Sequence, residues 1–188
     1  MRTLFKIFTA VLFTISCYSQ EKRHLVIKTN YLNYLFNGGF SLASEIKIKN
    51  NKSINISYEN GNLRDGIAGR NYDKFSTTVL EWRKYFMPSK STPSGIFVGT
   101  YLKHRYRDKL QYESNGLFGW GAVDEDIYKA HSLGSGILGG YQNHIFKRIS
   151  VDFKAGIGVL VRVQSKGKTK PNFIFPDGLI GLSFGVRI

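Results

Sequence analysis

Apolar and polar residues alternate along most of the chain. From Ile149 onward, Val151, Phe153, Ala155, Ile157, Val159, Val161 and Val163 hold every second place, with Ser150, Asp152, Lys154, Gly156, Gly158, Leu160 and Arg162 between them. Successive side chains of a strand point to opposite faces, so this period of two predicts a strand with one apolar face and one small or polar face. The last stretch repeats it. Ile180, Leu182, Phe184, Val186 and Ile188 share one parity; Leu179, Gly181, Ser183, Gly185 and Arg187 share the other. An unpaired strand edge invites aggregation, so this terminal strand is expected to close against the first.

The same signal predicts six more strands: His24 to Tyr34, Phe40 to Ile48, Ile54 to Glu59, Phe75 to Phe86, Gly95 to Tyr106 and Ile127 to Tyr141. A tight turn at Lys49 to Lys52 would set Ile48 against Ile54 and Ile46 against Ile56. Gly61 to Lys74 and Arg107 to Asp126 are expected as loops. A membrane strand tilted at about 45° needs roughly 9–11 residues, and most of these reach nine. The fold class is therefore all-β: an eight-stranded antiparallel up-and-down transmembrane β-barrel. Connections after the third, fifth and seventh strands are long and those after the second, fourth and sixth shorter, as expected when one rim faces outside and the other the periplasm. The short first connection, Phe36 to Gly39, breaks that pattern.

Alternation alone also fits a soluble lipocalin-like barrel with its apolar face inward. Three features favour the inverted arrangement. Charges of both signs sit mid-strand on the polar face: Glu45, Glu81, Arg83, Asp152 and Lys154. Buried charges need partners. Small residues share that face, among them Gly99, Gly156, Gly158, Gly181 and Gly185. Tyr34, Phe40, Trp82, Phe86, Tyr106, Tyr128 and Tyr141 gather near strand ends, as membrane girdles do. On this reading Val151, Phe153, Ile157, Leu182, Phe184 and Val186 face lipid. Folding the fourth strand onto the fifth puts Glu81 beside Tyr101 and diagonal to Lys103, so Glu81, Arg83 and Lys103 are expected to form a charge cluster in the lumen.

The 188 residues suffice for one domain after an export signal. Arg2 and Lys6 precede a largely apolar run from Leu4 to Ile15, and Cys17 and Ser19 stand at −3 and −1 before Gln20. This reads as a signal peptide over residues 1–19, with the barrel domain at 20–188; a lipoprotein reading would instead lipidate Cys17. Cys17 is the only cysteine, so cleavage at Gln20 leaves no thiol and excludes disulfides. The net charge of +14 raises the question of nucleic acid. Export removes the chain from it, the basic residues are scattered, and no nucleic-acid motif appears. An anionic lipid surface is the better match.

Lys28-Thr29-Asn30, Arg83-Lys84-Tyr85-Phe86, Gly95-Ile96-Phe97-Val98-Gly99, Gly140-Tyr141-Gln142 and Gly156-Ile157-Gly158 carry a resemblance. The chain resembles small outer-membrane barrels of the OmpX and OmpA-transmembrane-domain kind, and more nearly an exported barrel family of unknown function. That resemblance implies the barrel fold, the cell outer membrane as location and no established activity; the partners expected from the charge are outer-membrane lipids and lipopolysaccharide, and the chain is expected to be a monomer. It also implies insertion by the barrel-assembly machinery, for which Ile188 stands where an aromatic is usual.

The chemistry on offer is sparse. A lipid A deacylase-type barrel places His and Ser two apart on one face; here His131 and Ser132 are adjacent and point oppositely, and His104 reads as an interfacial residue. Asp124, Glu125 and Asp126 lack the glycine-spaced pattern of a calcium loop. No catalytic residue, metal or cofactor is assigned. Charges in Asn62 to Arg70 and Lys166 to Lys170 could meet lipopolysaccharide phosphates. Eight strands with filled interiors leave no aqueous channel. Two classes stay open: a structural or surface-interaction barrel of the outer membrane that is not an open pore, and an exported lipocalin-like carrier or lipid A-modifying enzyme.

Overall fold

A computed structural model describes residues 25–49, 51–65, 71–86, 94–114, 123–145, 148–166 and 174–188. The expected signal peptide lies outside them. Eight strands form one closed antiparallel barrel in which each strand pairs with its sequence neighbours and the last with the first. They are β1 (Leu25–Asn30), β2 (Ser41–Lys49), β3 (Lys52–Asp65), β4 (Asn71–Tyr85), β5 (Gly95–Ser114), β6 (Val123–Ile145), β7 (Ile149–Lys166) and β8 (Ile174–Arg187). The seam runs from Val26 opposite Arg187 to Asn30 opposite Ser183.

The apolar parity faces outward. Leu80, Trp82, Leu102, Ile137, Ile157 and Ile180 are all exposed, Ile157 at 70%. Their strand neighbours Glu81, Arg83, Lys103, Leu138 and Leu179 are buried. An exterior of this kind is stable only against lipid, and the closed ring pairs every strand with a neighbour on each side. The chain is thus a transmembrane β-barrel of the outer-membrane type, and the lipocalin arrangement, with its apolar face inward, is not what the chain adopts.

The sequence-based reading is corrected in three places. First, β1 stops at Asn30, and Tyr31–Asn37 forms a helix, α1. Asn30 caps it by accepting from Leu32 N at 3.2 Å, and Gly38, at φ +55°, ends it with its N–H on Tyr34 O. Only glycine takes that left-handed position without penalty. The first connection is therefore a helix on the same rim as the β3–β4, β5–β6 and β7–β8 connections. Second, the stretches expected as loops are largely strand. β3 and β4 stay paired out to Asp65 and Asn71, and β5 and β6 out to Ser114 and Val123. Third, Ile46 rather than Ile48 lies opposite Ile54, because the ladder shifts between Lys47 and Lys49. The observed register differs from the expected one by two residues, so the apolar faces still coincide.

Where β1 and β2 end, α1 stands in the wall, and asparagine side chains take over backbone pairing. Asn33 Nδ2 donates to Phe40 O at 3.0 Å and to Asn60 O at 2.9 Å. Asn60 Oδ1 accepts from Phe40 N, and Asn30 Oδ1 accepts from Leu182 N at 3.3 Å. Backbone groups at membrane depth must be satisfied internally, and these amides do so where the ladder lapses. Tyr31, Tyr34, Leu35 and Phe36 project outward from the helix, and the Tyr31 ring meets that of Phe184 edge-on at 6.1 Å.

Candidate functional site

The lumen is built from the inward parity of all eight strands and has three levels. Nearest the rim that carries the chain termini lie Lys28, Arg83 and Lys154 with Glu45, Glu81 and Asp152, none more than 4% exposed. Arg83 Nε donates to Glu81 Oε2 at 2.7 Å, and its Nη1 reaches Asp152 Oδ2 at 2.5 Å. Lys28 Nζ sits 2.5 Å from Glu45 and 2.7 Å from Asp152. Lys154 contacts Glu81. Tyr85 OH lies 2.6 Å from Glu45 Oε1 and 2.9 Å from Gln142 Oε1. Each buried ion costs several kcal/mol in lost hydration unless paired. Three cations facing three carboxylates offset one another here.

Above this, Val79, Tyr101, Leu138 and Leu179 form an apolar plug, joined to the charged level by Phe97, whose ring lies 4.5 Å from the Arg83 guanidinium. Gly136 and Gly158, opposite one another on β6 and β7, make room for it. A Cβ on Gly136 would sit 2.6 Å from Tyr101 Cε1, and one on Gly158 2.5 Å from Tyr101 OH. Glycine is needed there because a ring fills the space a side chain would take.

The third level is the mouth on the helix side. Lys103 Nζ donates to Asp177 at 2.7 and 3.0 Å, and Tyr101 OH donates to the same carboxylate at 2.8 Å. Arg107 grips Asp73 through Nε at 3.1 Å and Nη2 at 2.7 Å. Thr77 and Arg105 face each other across β4 and β5.

Of the expected cluster, the structure joins Glu81 and Arg83 and separates Lys103 from them. Glu81 does lie opposite Tyr101, but Lys103 is one level higher and takes its partner from β8, across the lumen. A diagonal between neighbouring strands is one route to a partner; in a barrel this narrow the far wall is another. Lys28, Tyr85, Gln142 and Asp177 belong to the lumen and were missed. Parity alone would have found Lys28 and Asp177, since each lies two or four residues from an inward position. Arg105, Arg107 and Asp73 fell in or near the expected loops.

On the outer surface, Phe153, Ile157, Phe184 and Val186 are exposed and Val151 and Leu182 half-exposed, all on the apolar side. His104 Nε2 lies 3.2 Å from His131 Nδ1, with stacked rings and Tyr106 against His131. Ser132 points the other way and is buried. The side chains of Asp124, Glu125 and Asp126 lie outside the described residues.

Three solved structures are similar to this chain, each covering 88% of it. Neisserial surface protein A is 16% identical over 93% of its own chain, with a TM-score of 0.41. The N-terminal β-barrel domain of Pseudomonas aeruginosa OprF is 12% identical over 96%, with a TM-score of 0.41. A major outer membrane protein from Thermus thermophilus is 13% identical over 99%, with a TM-score of 0.41. No curated protein matches the chain. Residues 7–170 match the model of a family described as protein of unknown function (DUF3575), and the chain belongs to that family.

Proposed function

We propose that this outer-membrane barrel is a sealed structural element that presents a raised β-ribbon and a basic rim to the cell surface. The observation that carries the reading is the length of β5 and β6, 20 and 23 residues, where a span needs roughly 9–11. On the outward face of β5 the run of apolar residues ends at Leu102; His104, Tyr106 and Asp108 follow. Some ten further residues, roughly 30 Å of strand, therefore stand above the apolar belt. A pore is a poor match, because Arg83, Tyr85, Phe97 and Tyr101 are all fully buried and fill successive levels of the lumen.

The partner the rim suits is lipopolysaccharide. Lys129 and Lys166 are cross-strand neighbours on β6 and β7, and with Tyr106, His131 and Gln164 they line a shallow pocket of about 200 Å³. Cations at this height would meet lipid phosphates, with the outward aromatics below them in the acyl layer. The rest of the belt contacts outer-membrane lipid, the barrel acts as a monomer, and the terminal strand β8 is read by the barrel-assembly machinery during insertion.

Thermal unfolding in detergent with and without purified lipopolysaccharide tests this. Lipopolysaccharide is expected to raise the midpoint of the native protein, and a Lys129→Glu, Lys166→Glu variant is expected to lose that gain. An equal gain in both would overturn the assignment of the rim.

A further inference from the structure

The mouth of the lumen on the helix side holds a cavity of about 260 Å³. Lys103, Arg105, Arg107, Thr77, Glu59 and Asn37 line it. Three cations and one carboxylate, Glu59, border the cavity, and Asp177 and Asp73 stand close by, yet none of these carboxylates is hydrogen-bonded to Arg105 among the described residues. Asp177 is held by Lys103 and Tyr101. Asp73 is held in a two-point grip by Arg107. Glu59 accepts from Asn30 Nδ2 at 2.9 Å.

Arg105 and Thr77 remain. Arg105 Nε is shielded from solvent without a hydrogen-bond partner among the described residues, and so is Thr77 Oγ1. Thr77 is 3% exposed. The two are direct cross-strand partners and both border this cavity, so the unpartnered Nε and the unpartnered hydroxyl belong to one site. A guanidinium has five N–H donors in a planar fork that matches oxyanion geometry, and a hydroxyl adds a sixth. A buried donor without an acceptor is destabilising, and an anion held here would supply the acceptor.

We propose that the cavity at the helix-side mouth binds a small oxyanion, with a phosphate group as the reference ligand, between the Arg105 guanidinium and the Thr77 hydroxyl. Lys103 and Arg107 supply further positive potential without giving up their own carboxylates. The cavity admits one such group, free or carried on a small sugar. The assignment is independent of any partner of the ribbon.

The test uses the full mature barrel folded in detergent micelles free of phosphate. Inorganic phosphate is titrated at constant ionic strength against chloride, and thermal unfolding is followed by tryptophan fluorescence. A saturable rise in midpoint is expected. Arg105→Gln is expected to weaken the apparent affinity about tenfold or more, and Thr77→Val, which leaves charge unchanged, to weaken it by a smaller factor. A sugar phosphate titrated in parallel separates a free ion from a phosphorylated sugar as source. No saturation in the native protein, or unchanged affinity in both variants, would overturn the proposal. Should either variant fail to fold, the native protein still decides. Phosphate is expected to protect Arg105 from phenylglyoxal, read by peptide mass, and equal modification with and without phosphate would refute the site.

Discussion

The two charged levels of the lumen use the same residue types to opposite effect. Near the terminal rim, Lys28, Arg83, Lys154, Glu45, Glu81 and Asp152 interlock, and each ion touches at least one of opposite sign. At the helix-side mouth, Lys103 and Arg107 each have a carboxylate, while Arg105 and Thr77 have donors to spare. The difference follows from depth. In the sealed level an unpaired ion has no water to fall back on, and every ion there has a counter-ion. At the mouth, solvent shares the load: Arg107 is 42% exposed through its side chain. A level whose ions are all paired can only stabilise, whereas one that leaves a cation unpaired can also bind.

Breaking the sealed level should give the largest effect. Arg83→Ala leaves Glu81 and Asp152 buried without their main cation, and about 3–5 kcal/mol of stability is expected to go. Urea unfolding in detergent measures it, and an unchanged midpoint would mean that water reaches this level. Next in size is a charge on the lipid face. Ile157→Arg, near mid-strand in β7, is expected to cost roughly 2–4 kcal/mol if the belt sits at the bilayer midplane; refolding into lipid vesicles reads this directly. Gly158→Val would drive a side chain into Tyr101, at about 1–3 kcal/mol for overpacking, measured by the same unfolding curve. The smallest effect is expected at the mouth. Arg107→Ala removes a half-exposed pair and should cost no more than about 1 kcal/mol. A loss at Arg107 equal to that at Arg83 would erase the contrast between the levels.

The contrast also separates what the sequence makes visible from what it does not. The barrel, its strand count and its inverted faces follow from parity, because lipid on one side and a cramped lumen on the other select residues of opposite character at every step. Beyond Tyr106 and before Phe75 that selection lapses. Charged and polar residues crowd Arg107 to Ser114, with Leu110 and Tyr112 as the only alternating apolar positions, so the stretch read as a loop although it pairs as a strand. Helix α1 hid for the opposite reason: Tyr31, Leu32 and Tyr34 prolong an apolar run that β1 had begun. Its flanks, Asn30 and Gly38, were the readable signals of a cap and a stop. Lys103 was paired wrongly since adjacency along the sheet says nothing about the wall opposite, where Asp177 stands.

The seam between β1 and β8 has a kinetic consequence. It joins five residue pairs, while the β5–β6 hairpin joins twenty. Hairpin contacts are local and close cheaply; the seam joins residues more than 150 positions apart and bears the largest loop-closure entropy in the molecule. Assembly is therefore expected to spread outward from β5 and β6 and to finish at Val26 to Asn30. Hydrogen exchange would then be fastest along β1, and the first motion of unfolding would be the parting of β1 from β8.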